Sequence, residues 1–362
     1  MKAWRARDHA LADGGAEVTL VCAREWNEGG KVVAPELDAD DGDVRPVRTF
    51  GTHPMLFAYD PWALWRALRS GRYDVLDVHE EPVSVAAAET QLLAWLAGVR
   101  APFCLYSAQN IDKRYPVPFR WMERVALRRA GAVHTCNDDA GRILVHKGFR
   151  GIVRNLGLGV DTERFAPATA PDTGDSVRRT LGLHVGYVGR LEARKGVHVL
   201  VDAVARVPDC TLELVGDGAE RVALEAQITR LDLADRVRVT GYATQDELPA
   251  RYPTFDVVAV PSLETPTWIE QFGRVAVEAM ASGVPVVASD SGSLPEVVGD
   301  AGILVAPGDV TALADALCRL AGDPAERRRL GAIGRTRAGR WSWDSLATEQ
   351  LALYREMAAR AA

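Results

Sequence analysis

Two glutamates, Glu270 and Glu278, stand with seven residues between them in the stretch Pro261–Pro295, PSLETPTWIEQFGRVAVEAMASGVPVVASDSGSLP. Paired carboxylates can act as acid and base, or as two acceptors for the hydroxyls of one ligand. Spacing separates these uses. If both lay on one helix, a rise of 1.5 Å per residue would set them about 12 Å apart. Glycoside hydrolysis needs its two carboxyl groups roughly 5–9.5 Å apart, so hydrolysis of that kind is excluded. An elongated ligand held at two points fits. Upstream, Arg190 and Lys195 stand in a second polar segment, GRLEARKG over residues 189–196. A guanidinium offers a bidentate fork and an ammonium a point charge, a pairing suited to a diphosphate. Taken singly, helix glutamates and loop cations are usually solvated surface charges. Phe272-Gly273 and the later loop Ser291-Gly292-Ser293 argue for a built site instead.

These residues need elements to hold them. Arg274–Ala281 is a helix-forming run stopped by Ser282-Gly283, and Val284–Ala288 is a short β-branched run, hence a buried strand. Before Arg190, Val185–Val188 reads as a strand, and Val197–Val207 after Lys195 reads as a helix. A strand, a glycine turn at Gly189 and a helix place both cations beside a helix N-terminus, where anions are favoured. Thr211–Val215 ending in Gly216-Asp217-Gly218, Val237–Thr240 ending in Gly241-Tyr242, and Val257–Val260 repeat the pattern. The sequence offers no complete G-x-G-x-x-G and no suitably placed acid, which excludes a dehydrogenase. Ile303–Val305 closes the sheet. Leu313–Leu320 and Ala325–Ala338 read as helices, and an amphipathic helix begins at Trp341-Ser342-Trp343-Asp344. Ligands of such parallel sheets sit at the carboxyl ends of the strands.

At 362 residues the chain exceeds the usual size of a single core, so two domains are expected. A net charge of −6 gives no reason to expect bulk nucleic-acid binding, and 48% hydrophobic with 25% charged residues is ordinary for a soluble protein. Five scattered cysteines without a CxxC pair read as core thiols of a reducing compartment. No apolar run approaches the ~20 residues that span a bilayer, and no signal peptide opens the chain. A cytoplasmic protein is the expectation.

In the amino-terminal half, Trp4–Asp13 reads as a helix capped by Gly14-Gly15, followed by the strand Glu17–Cys22. Further strands fit Asp74–Val78, Phe103–Tyr106 and Val133–Cys136, and helices Pro82–Leu96 and Asp138–Lys147. His79, Glu80 and Glu81 follow one strand; Ser107, Gln109 and Asn110 follow the next. By the strand-end rule they line an interdomain cleft, and His79, Glu80, Gln109 and Asn110 are candidates for contacting an acceptor. Lys113–Arg129 is locally basic with Tyr115, Phe119 and Trp121 interleaved. It fits a solvated helix face, a site for an anionic acceptor, or a peripheral contact with an anionic membrane at the inner face. Ala166–Asp175 has the composition of a linker.

The E-x7-E pattern of Glu270 and Glu278, the GR…KG segment and VRNLGLGVDTERF over residues 153–165 together resemble retaining glycosyltransferases of family 4. The last segment is similar to the family's NGVD…F run. The resemblance spans nearly the whole chain, apart from the strand and glycine-rich loop with which such enzymes usually start. An upstream start, a trimmed chain or a real loss would each account for that. The resemblance implies an α/β, GT-B fold: two Rossmann-like domains facing a cleft, with the C-terminal helix crossing back to the first. The boundaries expected are 1–165 for the acceptor-side domain, 166–180 for a linker, 181–340 for the nucleotide-sugar domain and 341–362 for the returning helix.

The activity it implies is transfer of a sugar from a nucleotide-diphosphate sugar to an acceptor hydroxyl, with retention and without a metal or cofactor. Arg190 and Lys195 would neutralise the departing diphosphate, Glu278 would hold the ribose hydroxyls and Glu270 the donor sugar. Gly189, Gly216, Gly241, Tyr242, Phe272 and Gly273 would complete the nucleotide-sugar site. Two rivals stand beside this reading, a nucleotide-sugar epimerase of the same fold and a catalytically weakened nucleotide-binding partner subunit. Donor, acceptor and oligomeric state stay open at the level of sequence.

Overall fold

The computed structural model describes residues 2–28, 31–35, 37, 41–167 and 182–361. They form two compact units, Met1–Gly159 with Trp343–Ala362, and Val160–Ser342.

The first unit opens with α1 (Lys2–Asp13), β1 (Thr19–Ala23), the hairpin β2 (Trp26–Glu28) and β3 (Lys31–Val33), and β4 (Asp43–Val47). A short hairpin, β5 (Thr49–Phe50) and β6 (Ala58–Tyr59), leads to α2 (Pro61–Arg69) and β7 (Leu76–Val78). Then α3 (Val85–Leu96), β8 (Phe103–Ser107), α4 (Phe119–Arg129), β9 (Ala130–Thr135), α5 (Asp138–His146) and β10 (Ile152–Asn155) alternate. Strands β7 to β10 form one parallel sheet in the order β10-β9-β8-β7, while β1 pairs in parallel with β4 as a separate ladder. Among the described residues no ladder joins β1 to β7. Side-chain caps start α2, α3 and α5: Asp60 accepts from the Trp62 and Ala63 amides, Ser84 from Ala87 and Asn137 from Ala140. Each satisfies an amide that the first turn leaves unpaired. Helices α2 to α5 pack through Leu64, Leu68, Ala87, Ala94, Ala126, Leu127 and Leu144 into a single core over Phe103, Leu105 and Val133.

The second unit is a six-stranded parallel sheet. Its elements are β11 (Leu183–Val188), α6 (Val197–Ala205), β12 (Cys210–Val215), α7 (Arg221–Arg230), β13 (Val237–Gly241), α8 (Leu248–Arg251) and β14 (Val257–Val260). These continue as α9 (Arg274–Ala281), β15 (Val286–Ser289), α10 (Leu294–Val298), β16 (Gly302–Val305), α11 (Val310–Gly322) and α12 (Pro324–Ala338). The strand order is β13-β12-β11-β14-β15-β16. Strands β11, β12, β14 and β15 are buried nearly throughout and mostly apolar, as strands covered on both faces are. Leu200, Leu212 and Leu214 are fully enclosed, and each such side chain contributes about 2 kcal/mol of burial.

The chain then returns. Helix α13 (Trp343–Ala361) packs on α1 through Ala347 and Leu351, and covers Cys104, Ala132 and Ile152 with Leu353 and Met357. It therefore belongs to the first unit.

Three sequence expectations need adjustment. Residues 160–165 join the second unit, because Val160 bridges Ser342 and Phe165 packs edge-on against Tyr252 at 5.5 Å. The basic stretch is helical only from Phe119, since Pro116 and Pro118 each lack a donor for a helical ladder. Residues 168–180 of the expected linker lie outside the described residues. Cys104, Cys136 and Cys210 are buried free thiols as expected, whereas Cys318 is exposed.

Candidate active site

Strands β11 and β14 are neighbours although two strands and three helices separate them in the chain, so the order of the sheet reverses between them. A crevice for ligands forms at such a switch point, outside the carboxyl ends. The loop after β11 carries Gly189, Arg190 and Lys195; the loop after β14 carries Glu270. The two loops touch backbone to backbone, with the Leu263 amide donating to the Arg194 carbonyl at 2.8 Å. Gly196 has φ +66°, and a Cβ there would sit 1.9 Å from the Pro261 carbonyl oxygen. Only glycine serves at that position.

Lys195 and Glu270 meet. The ammonium donates to Glu270 Oε2 at 2.7 Å and lies 4.7 Å from the centroid of the Trp268 ring. Ser262 Oγ donates to the same carboxylate oxygen at 2.8 Å. The Lys195 side chain is 25% exposed and ion-paired, against 72% for Arg190. Among the described residues the Arg190 guanidinium reaches only Glu192, in a long contact of 3.4 Å.

Glu270 and Glu278 do not share a helix. Glu270 lies in the loop, Gly273 turns the chain with φ +81° as the cap of α9, and Glu278 sits in the second turn. The loop Ser291-Gly292-Ser293 braces Glu270 from behind. Ser293 donates its amide (3.1 Å) and its hydroxyl (3.0 Å) to the Glu270 carbonyl, and a Cβ on Gly292 would come within 2.2 Å of that oxygen. Phe272 turns into the core against Trp341 at 5.7 Å, so its part in a site is its backbone.

Glu278 is only 3% exposed. Tyr252 OH donates to its Oε2 at 2.6 Å, and Arg274 Nε stands 3.3 Å from Oε1. Burial raises its pKa, and Arg274 and the Tyr252 hydroxyl partly offset that. Gly216 and Gly241 bridge each other at the ends of β12 and β13, and Tyr242 beyond them is exposed. Gly216 is packed so closely that a Cβ would meet the Gly189 carbonyl at 1.8 Å.

In the first unit, His79 and Glu80 follow β7 while Gln109 and Asn110 follow its neighbour β8. Glu81 is the organising group there, accepting from Ser107 Oγ at 2.7 Å and the Ala108 amide at 2.8 Å. Gln109 reaches Tyr115 OH at 3.3 Å, and Asn110 is buried. Burial, with Glu81 alongside, pushes Glu80 up to about 7. His79 stacks on Tyr106 at 4.2 Å and takes a contact from Arg7 Nη1 at 3.0 Å. Burial, then the charges of Arg7 and His134, hold its pKa well below that of a free imidazole.

Asp77, His79 and His134 bring ligand atoms within 4.8 Å of one another, as a metal site would. The Arg7 guanidinium already brings positive charge to His79, and Tyr354 OH and Gln350 Nε2 donate to Asp77 Oδ2 at 2.7 and 2.9 Å. Burial opposes ionisation of Asp77, yet His134, His79 and Arg7 together hold its pKa below the usual carboxylate range. A cation entering there would meet a guanidinium. Sequence reading misses this trio, because only the parallel register of β7, β8 and β9 aligns residues so far apart. It also misses Trp268, Ser262 and Tyr252, which carry no motif of their own.

Residues 180–337 match the family model for glycosyl transferases group 1, and residues 9–155 that for the glycosyl transferase 4-like domain. The chain belongs to this family of glycosyltransferases, with the GT-B fold of two Rossmann-like domains. It is 31% identical to a D-inositol 3-phosphate glycosyltransferase of Corynebacterium urealyticum, over 80% of each chain. It is 33% identical to the 2-deoxystreptamine glucosyltransferase of Streptomyces kanamyceticus, over 64% of this chain and 60% of that one. With the MMP alpha-(1->4)-mannosyltransferase of Mycolicibacterium hassiacum it shares 40% identity, over 57% of this chain and about half (48%) of the relative. Among solved structures, the sucrose-phosphate synthase of Thermosynechococcus elongatus has a TM-score of 0.73 at 25% identity, covering 99% of this chain and 93% of that one. HepE of Anabaena, solved in complex with UDP, has a TM-score of 0.69 at 25% identity, covering 80% and 81%.

Proposed function

We propose that this glycosyltransferase moves a sugar from a nucleoside diphosphate sugar to an acceptor hydroxyl, with retention of configuration and no metal. The observation that carries this is the Lys195–Glu270 pair at the switch point, with the exposed Arg190 on the same loop. A departing diphosphate needs positive charge already in place, and preorganised charge is the largest usual source of rate enhancement. Arg190 and Lys195 supply it. Glu270 orients Lys195 and accepts from the hydroxyls of the donor sugar, with the backbone at Phe272-Gly273 beside it. Tyr252 fixes Glu278 Oε2, which leaves Oε1, loosely held by Arg274, to receive the ribose hydroxyls. The loops at Gly216, Gly241 and Tyr242 flank the base. His79, Glu80, Gln109 and Asn110 serve the acceptor. The solved HepE complexes with UDP, UDP and glucose, and UDP-glucose support a uridine or related nucleotide donor.

Calorimetric and thermal-shift titration with UDP, GDP, ADP and dTDP tests this reading. One diphosphate should raise the melting temperature of the protein selectively, and Arg190→Ala should weaken its binding. Indifference to all four would remove the donor assignment. Turnover of a nucleotide sugar without any acceptor would replace transfer by epimerisation.

A further inference from the structure

Helices α2, α3 and α4 lie side by side over one face of their sheet, α2 against α3 and α3 against α4. Their inward stripes make the common core. Their outward stripes have an unusual composition. On α2 it is Trp62, Arg66 and Arg69; on α3 it is Leu92, Trp95 and Leu96; on α4 it is Trp121, Arg124 and Arg128. Each set follows helical spacing, so each is one continuous stripe. Trp62, Trp95 and Trp121 are 62%, 62% and 64% exposed, and no other described tryptophan is in the exposed class. Trp62 stacks on Trp65 at 5.1 Å, and the Arg69 guanidinium lies 5.0 Å from the Trp65 ring.

Charge on this face is of one sign. Helix α2 holds no carboxylate, Glu89 of α3 accepts from the Tyr59 amide, and Glu123 of α4 is buried against Lys147. These arginines, with no ion-pair partner among the described residues, thus alternate with exposed indoles on a chain whose net charge is −6. No helix among the described residues is long and apolar enough to cross a membrane.

We propose that the outward face of α2, α3 and α4 seats this protein on an anionic lipid bilayer. Indole rings favour the headgroup level, where the ring is in a less polar medium and the N–H stays wet. The leucines of α3 enter beside them, and the arginines meet the lipid phosphates while their stems lie along apolar surface. A second copy of the chain fits less well, since a two-fold pairing would set the same arginines against each other. The surface belongs to the first unit and the switch-point residues to the second, and the proposal needs nothing from the donor reading.

Flotation of the full chain with vesicles tests this. Vesicles of phosphatidylcholine alone are compared with vesicles containing phosphatidylglycerol, at low and high salt. Binding should require the anionic lipid and fall with salt. Each arginine is worth about fivefold at an anionic surface, so Arg66→Ala, Arg124→Ala and Arg128→Ala together should lower partitioning about a hundredfold. Trp62→Ala, Trp95→Ala and Trp121→Ala should abolish the quenching of tryptophan fluorescence by brominated lipid. Arg328→Ala with Arg335→Ala, exposed on the second unit, should change neither. Circular dichroism confirms that the variants fold. Equal binding to neutral and anionic vesicles, insensitivity to the arginine variants, or loss of self-association in place of vesicle binding would each overturn the proposal.

Discussion

Lys195 carries its charge into a place where Glu270, Ser262 and the Trp268 ring converge, and this separates it from Arg190. Replacing Lys195 by Ala removes the ammonium from the carboxylate of Glu270, a residue only 8% exposed. Lys195→Ala should therefore cost about 2–3 kcal/mol of stability as well as turnover. Arg190→Ala should lower turnover with a change in stability below about 0.5 kcal/mol. Urea unfolding beside initial rates reads both, and equal stabilities for the two variants would contradict the geometry. Glu80 gives a second residue-scale test. Its folded value of about 7 lies above the ordinary 4.5, so between those values the folded state binds more protons than the unfolded. Stability then falls as pH rises from about 4.5 to 7 and levels above that, by about 3 kcal/mol at most. Glu80→Gln should flatten that part of the stability profile.

At the scale of elements, loops rather than helices hold the candidate site. Gly196, at φ +66° against the Pro261 carbonyl, lets the loop after β11 lie on the loop after β14. Gly196→Ala combines a strained backbone with a clash and should cost about 2 kcal/mol or more, with nucleotide binding lost in parallel. A cap elsewhere serves as the control. Asp309 accepts from the Thr311 and Ala312 amides at the start of α11, so Asp309→Ala should cost about 1 kcal/mol and leave nucleotide affinity unchanged. Strands β11, β12, β14 and helix α9 are legible in sequence because β-branched runs and glycine stops mark them. Strand β4 and helix α2 are not. The first is a half-buried pentapeptide containing Pro46, and the second turns tryptophans outward, which blurs the periodicity.

At the scale of the molecule, α13 belongs to the unit that begins the chain. Its Leu353 and Met357 cover Cys104, Ala132 and Ile152. Removing residues 343–362 should expose that patch, so the first unit melts early or aggregates while the second keeps its nucleotide site. Differential scanning calorimetry with and without the bound diphosphate checks this, since the ligand should raise only the transition of the second unit. A single transition unaffected by the truncation would show that α13 is dispensable.

Sequence alone determined the parallel α/β class, the strand–loop–helix units around Arg190, Lys195, Glu270 and Glu278, and the family those motifs resemble. Period, glycine stops and motif spacing are local, and one chain read in order displays them. Partnership is not local. That Lys195 pairs with Glu270 across 75 positions, that Tyr252 secures Glu278, and that Asp77, His79 and His134 share one network follow from which strands lie side by side. Likewise only packing shows which stripe of α2, α3 and α4 faces outward, because the same tryptophans could equally have filled a core.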